Sequence, residues 1–368
     1  IVTTGIPEKD QYIISIEELN RKNNNEISKI LKNKKTSNSE FWRIFETAIS
    51  IEPFKYSIDM KPFRKAPYCQ LEALFNGFEK AIKDGNRDKI KFENLLNFIQ
   101  EMLEDEEFWL DKYNTKNYWG SSKHTDVLRE IYDLLSKILH ETTEIYANYS
   151  EMIIDILSRL LKSELSEIGL KRNLEVTGDR DILNFIMLNN SASVLRVGFF
   201  LLLKLMNLKN PKYSENIRHL KGILLKEMDI LIKTKNVVGY SILGYFATNF
   251  LAIDKEYIER HVNSAMRLND IEIWKYFMEG YICRSLLNED SYLLMKENLS
   301  YALDNMDIIE VNSRERLIQQ LSLYYLWGYE GTSSGLLYNL LMKNNPEYIT
   351  ELLYYLWSLK DEILMRDR

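Results

Sequence analysis

Glycine, proline and cysteine are all scarce in this chain: 14 Gly, 6 Pro and 2 Cys in 368 residues. So little punctuation in so long a chain favours long helices over many tight β-turns. The same scarcity argues against a phosphate cradle of backbone N–H groups, and neither a Walker A pattern nor a G-x-G-x-x-G after a strand is present. The two cysteines, Cys69 and Cys283, cannot form a disulfide framework, and no C-x-x-C occurs. A reducing, cytoplasmic setting is the simplest expectation. Each thiol reads as a small packed hydrophobe rather than a nucleophile.

Long apolar runs are missing as well. The greasiest stretch, Ser193 to Leu208, carries Arg196 and Lys204 and so reads as a core helix, not a bilayer span. Ile1 to Asn20 lacks the basic start and apolar run of a secretory signal. The chain begins with Ile rather than Met, which raises the expectation that it is a piece of a longer polypeptide.

Strong charge of one sign is lacking too. A net charge of -6 and a pI of about 5.6 give no global attraction for phosphate backbones or anionic membranes, so neither partner is expected. One basic stretch exists, Arg21, Lys22, Lys29, Lys32, Lys34 and Lys35, interleaved with Asn23, Asn24 and Asn25. No aromatic platform accompanies it, so a solvated helix face is preferred over a phosphate-binding arm.

The usual catalytic patterns are absent or incomplete. None of the four histidines, His124, His140, His219 and His261, pairs with another at helical spacing, and no H-E-x-x-H occurs. His124 and His140 lie sixteen residues apart on one predicted helix, about 24 Å at the helical rise. Glu104, Asp105, Glu106 and Glu107 are adjacent and therefore point around a helix rather than converging on a cation. Gly331-Thr332-Ser333-Ser334-Gly335 matches the G-x-S-x-G nucleophile elbow, but no histidine follows it and a helical pattern precedes it. It reads as an interhelical turn in which Gly331 ends one helix and Thr332 or Ser333 caps the next. No metal and no cofactor are expected.

What the chain does have is one amphipathic helical period over most of its length. From Ser121 to Glu164, Val127, Leu128, Ile131, Leu134, Leu135 and Ile138, then Ile145, Tyr149, Met152, Ile153, Ile156, Leu157 and Leu160, recur at steps of three and four. Shorter helices are predicted near 41–51, 70–81 and 91–109. Pro53, Pro62 and Pro67 mark a boundary. Asn210-Pro211 and Asn345-Pro346 each suggest an N-cap followed by Pro at the first helical position. Asn269 with Glu272 fits a capping box. Gly239, Gly244 and Gly280 fall inside helical patterns; close helix crossing over Gly244 and a helix start at Gly239 would account for two of them.

Candidate helix pairs start near Pro211, Asp254, Asp290 and Thr332, spacings of about 36 to 43 residues that match helical-hairpin repeats. The expected fold is therefore all-α, a solenoid-like stack of helical hairpins resembling irregular TPR or HEAT arrays, with a compact multi-helix bundle as the alternative. The expected domains are 1–66 (helical lead-in and Pro-containing linker), 67–170 (helical subdomain) and 171–368 (helical-repeat region).

Aromatics are abundant: 23 Tyr, 15 Phe and 6 Trp. They are densest near the C-terminus, where Tyr324, Tyr325, Trp327, Tyr329, Tyr338, Tyr354, Tyr355 and Trp357 form the candidate interface. Tyr and Trp pair a large apolar area with a polar tip, which suits partner surfaces and equally suits gaps between crossed helices.

Two segments carry a family resemblance: Val238-Gly239-Tyr240 through Gly244-Tyr245-Phe246 to Ala252-Ile253-Asp254-Lys255, and Trp274-Lys275-Tyr276-Phe277 with Gly280-Tyr281. Their order and spacing resemble the C-terminal helical-repeat regions of large bacterial antiphage defence proteins, the STAND NTPases and SIR2-linked chains, over residues 190–345. The resemblance implies a sensor region that docks a viral protein and controls an effector elsewhere in the polypeptide. The expected function is non-catalytic protein recognition. The alternatives are a scaffold acting by self-association and a helical enzyme with a noncontiguous acidic site.

Overall fold

A computed structural model describes residues 14–32, 39–113, 122–177, 182–284, 287–331 and 333–359. The fold is all-α: among the described residues there is no strand. The chain divides into two compact units, Ile1–Glu175 with Ser193–Leu224, and Val176–Ala192 with Leu225–Arg368.

The first unit opens with α1 (Ile16–Arg21), α2 (Asn24–Leu31), α3 (Ser39–Ile51) and α4 (Pro53–Ile58). It continues through α5 (Tyr68–Lys83), α6 (Phe92–Glu104), α7 (Glu106–Trp109), α8 (His124–Glu141), α9 (Thr143–Asn148), α10 (Ser150–Glu164) and α11 (Glu167–Thr177). α12 (Ile182–Leu188) belongs to the second unit, and most of α13 (Asn190–Asn207) and the first half of α14 (Ser214–Lys233) return to the first. The second unit then comprises α15 (Val237–Tyr245), α16 (Ala247–Ile253), α17 (Lys255–His261), α18 (Ser264–Arg267), α19 (Ile271–Arg284), α20 (Glu289–Asp304), α21 (Val311–Leu326), α22 (Leu336–Met342) and α23 (Pro346–Ser358).

The proline cluster does not separate two bodies. Pro53 starts α4, Pro62 lies in a 3-10 turn at Lys61–Phe63, and Pro67 precedes α5. The helices on either side, α3 and α5, pack on each other within the first unit. They approach so closely that a Cβ on Gly77 would lie 2.7 Å from Ile49 Cβ. Phe45, Tyr56 and Phe63 form an aromatic core beside this crossing, each pair 5.8 to 6.4 Å apart at the ring centroids. The expected break after residue 170 also differs, because 193–224 belong with the first unit.

The long apolar stripe is buried as its period requires, from Val127 to Ile138 and again from Ile153 to Leu160. It is carried by three helices rather than one, since the chain breaks at Thr142 and Tyr149. The Thr142 hydroxyl donates to Ile138 O at 2.6 Å and so closes the end of α8. Ile145, Tyr149 and Met152 sit at these breaks and are only half-buried. The expected 91–109 helix likewise splits at Asp105, which caps α7 by accepting from Glu107 N.

The asparagine run at 23–25 is explained by folding. Asn23 forms a capping box with Glu26, and Asn24 donates to Lys55 O and Asp59 O at 3.0 and 2.8 Å. Lys34 and Lys35 of the basic stretch lie outside the described residues. Asn345 caps α23 and Pro346 is its first residue, as expected. After Asn210 the chain forms a 3-10 turn before α14 begins at Ser214. At α19 the cap is Asp270, whose carboxylate accepts from Ile273 N at 3.3 Å; Asn269 takes the left-handed conformation, φ 52°, that asparagine tolerates.

In the second unit α15 and α19 pack on each other. An added Cβ on Gly244 would meet Phe277 O at 1.9 Å, and one on Gly280 would meet Ser241 O at 2.2 Å. Glycine at both positions lets two backbones touch. Gly239 is the third residue of α15, so it does stand at a helix start.

Candidate functional site

The predicted aromatic cluster falls on α21, α22, α23 and the turns between them, and the structure sorts its members by depth. Tyr324 is fully buried in the core. It shares one face of α21 with buried Leu317 and Leu321, its ring packs on Tyr292, and its hydroxyl bonds the Tyr281 hydroxyl at 2.6 Å and Ser291 Oγ at 3.1 Å. Burial pushes the Tyr281 and Tyr324 phenols above their usual range. Tyr324 is thus a core residue and cannot face a partner. Tyr329 stacks near Tyr324 and Tyr292, and Trp327 packs edge-on against Tyr329. Both are half-buried, as are Tyr325 and Tyr355.

Three members face outward. Tyr354 and Trp357 on α23 are 65% and 62% exposed, with ring centroids 6.3 Å apart. Tyr338 on α22 is exposed to a lesser degree. Leu341, Met342 and Leu353 are exposed on the same two helices, and Leu352 is the only residue of α23 that is buried. Clusters of exposed apolar residues of this kind mark interaction surfaces more often than isolated ones do.

The turn carrying G-x-S-x-G is not a nucleophile elbow, because α21 precedes it rather than a strand. Gly328, not Gly331, ends the preceding helix, in the left-handed conformation at φ 78°. The cap of α22 comes from Glu330, whose carboxylate accepts from Leu336 N and Leu337 N at 2.9 and 3.0 Å. Thr332 lies outside the described residues; Ser333 makes no capping bond to α22.

A groove that sequence reasoning missed runs between α21 and α23. It encloses about 330 Å³ and is lined by Val311, Ile318, Pro346 and the carboxylates of Glu315, Glu347 and Glu351. Gln319 Nε2 on α21 donates to Glu351 Oε1 on α23 at 3.2 Å. One signal was readable: Glu347, Glu351 and Tyr354 fall at i, i+4 and i+7, on one helical face.

Two further titratable groups were not foreseen, both in the first unit. His124, buried at the start of α8, places Nδ1 2.8 Å from Asp111 Oδ1 and Nε2 3.0 Å from Arg172 Nη1. Since Arg172 can only donate, Nε2 accepts and Nδ1–H donates to Asp111. Arg172 also donates to the fully buried Glu164 at 2.5 Å, and Asn173 donates to the same carboxylate at 2.8 Å. The Trp109 and Phe108 rings pack on the imidazole. With both imidazole nitrogens engaged, this network joins helices rather than presenting a base.

The second group lies along α5 and α8. Burial, reinforced by neighbouring acids, pushes the Glu72 and Glu130 carboxyls up to about 7. Glu79 and Asp133 are raised for the same first reason. Among the described residues no three His, Cys, Asp or Glu side chains converge as metal ligands do. No helix among them is long and apolar enough to cross a membrane.

No family model, curated protein or solved structure matches the chain.

Proposed function

We propose that the chain is a non-catalytic protein-recognition module whose docking surface is formed by α22 and α23. The observation that carries this reading is the outward placement of Tyr354 and Trp357 beside exposed Leu353 and Met342 on short helices of the second unit. Large aromatic side chains ringed by lesser contacts supply most of the affinity at protein interfaces. The resemblance over residues 190–345 makes a viral protein the first partner to try.

The test is a Tyr354→Ala/Trp357→Ala double variant used as bait beside the wild-type chain. Exposed truncations away from core features change stability by about 0.5 kcal/mol or less, so the variant should fold normally by circular dichroism. It should lose a protein that the wild type retains. Identical retained proteins for both baits would remove these helices from the recognition surface.

A further inference from the structure

We propose that the groove between α21 and α23 receives a lysine- or arginine-bearing amphipathic helix of a partner protein; this rests on the recognition reading above and adds the partner's chemistry. The lining includes apolar Val311, Ile318 and Pro346, of which Ile318 is buried and the other two are exposed, and it carries three carboxylate residues against one guanidinium. That guanidinium, of Arg314, already donates from Nε to Ile309 O at 2.8 Å. Glu351 accepts from Gln319, whereas the Glu315 and Glu347 carboxylates have no side-chain partner among the described residues. Glu347 lies in the first turn of α23, where it also offsets the positive end of that helix. Glu315, with neither engagement, is therefore the carboxylate most available to an incoming cation, and Glu351 can exchange its neutral amide partner for one.

The geometry favours a helix over a point ligand. The N-terminal halves of α21 and α23 line the groove together, with Glu347, Tyr348, Thr350 and Glu351 along the α23 side; Tyr354 lies beyond this lining, on the same helical face as Glu347 and Glu351. α21 and α23 already pack on each other, so an incoming helix would lie along the groove they share and not between them. Its apolar stripe would meet Val311 and Ile318, in the groove-docking manner of amphipathic helices. Its cations would meet the carboxylates and, further along α23, the face of the exposed Tyr354 ring. A nucleic acid would be repelled by the same carboxylates.

The test uses two labelled helical peptides of about 14 residues with identical leucine spacing, one carrying lysine and the other glutamate at the polar positions. Binding to the full chain is read by fluorescence anisotropy at low and high salt. The Leu/Lys peptide should bind saturably, more weakly at high salt, and at least about tenfold more weakly to Glu315→Gln/Glu351→Gln and to Tyr354→Ala. The Leu/Glu peptide should not bind. Equal binding of the two peptides, or Leu/Lys binding untouched by Glu315→Gln/Glu351→Gln, overturns the proposal. So does concentration-dependent dimerisation in sedimentation that Tyr354→Ala abolishes, which would make a second copy of the chain the occupant. If the peptides fail while Tyr354→Ala/Trp357→Ala still strips a partner from the bait, the charge preference falls and the recognition reading stands.

Discussion

Adding one methyl group at Gly244 should unfold the second unit at lower denaturant, although alanine is the better helix former. In an exposed helix interior, Gly→Ala gains about 1 kcal/mol. At Gly244 the new Cβ would lie 1.9 Å from Phe277 O, a backbone atom that no rotamer change can move. An ordinary carbon–oxygen contact is about 3.3–3.6 Å, so α15 and α19 must separate by roughly 1.5 Å. A gap of about 0.5–1 Å already forfeits a quarter to a half of the dispersion energy across a contact, and this one is wider. Phe277 and Tyr281, whose backbone atoms lie nearest the new Cβ, are both buried. Overpacking typically costs about 1–3 kcal/mol and occasionally more; a backbone clash this deep belongs above that range, at about 4 kcal/mol, so Gly244→Ala should lose about 3 kcal/mol once the gain of about 1 kcal/mol in propensity is subtracted. At about 2–4 °C per kcal/mol for a unit of this size, its melting temperature should fall by roughly 6–12 °C. Two other glycines calibrate the measurement. Gly222, in α14, has nothing within 4 Å of a built Cβ, so Gly222→Ala should gain about 1 kcal/mol. At Gly198 the nearest atom to a built Cβ is the flexible Cδ2 of Leu224, at 2.7 Å, so Gly198→Ala should fall between the two. Urea unfolding followed by circular dichroism ranks all three. A Gly244→Ala midpoint at or above wild type would refute the close crossing of α15 and α19.

Two more outcomes follow from the first unit. Because Glu72 and Glu130 titrate near 7 in the folded chain and near 4.5 when unfolded, the native state holds the extra protons between those values. Stability should be highest below about pH 4.5 as far as these groups are concerned, and should fall as pH rises to about 7. Glu130→Gln should flatten that slope and stabilise the unit by roughly 1–2 kcal/mol at pH 8 after allowance for solvent screening; an unchanged pH profile in thermal melts would count against the raised carboxyls. Arg172→Met removes the counter-charge of buried Glu164 and should cost about 3 kcal/mol, with a Glu164→Gln second change recovering part of the loss in a double-mutant cycle; simple additivity of the two would show that the pair is not coupled.

How far the sequence reached is seen best by comparing Tyr324 with Tyr354. The two were grouped because they are the same residue type in one aromatic-rich stretch, yet one is core and the other 65% exposed. Helical phase separates them. Tyr324 follows Leu317 and Leu321 on one face of α21, whereas Tyr354 follows Glu347 and Glu351 on one face of α23. The depth of each ring was therefore legible from its i-3, i-4 and i-7 neighbours, and composition alone obscured it. The same distinction explains the helices. An apolar period records which face is buried, so the stripe from Val127 to Leu160 was readable. It does not record where the rod bends, and no proline or glycine marks the breaks at Thr142 and Tyr149. Likewise a glycine in a helical pattern announces that some backbone comes close, but nothing local names Phe277 O as the atom opposite Gly244. The groove between α21 and α23 belongs to this second kind of information. Glu347 and Glu351 are written along α23, but Val311, Glu315 and Ile318 come from α21 some thirty residues earlier, and only the packing of the two helices makes a site of them.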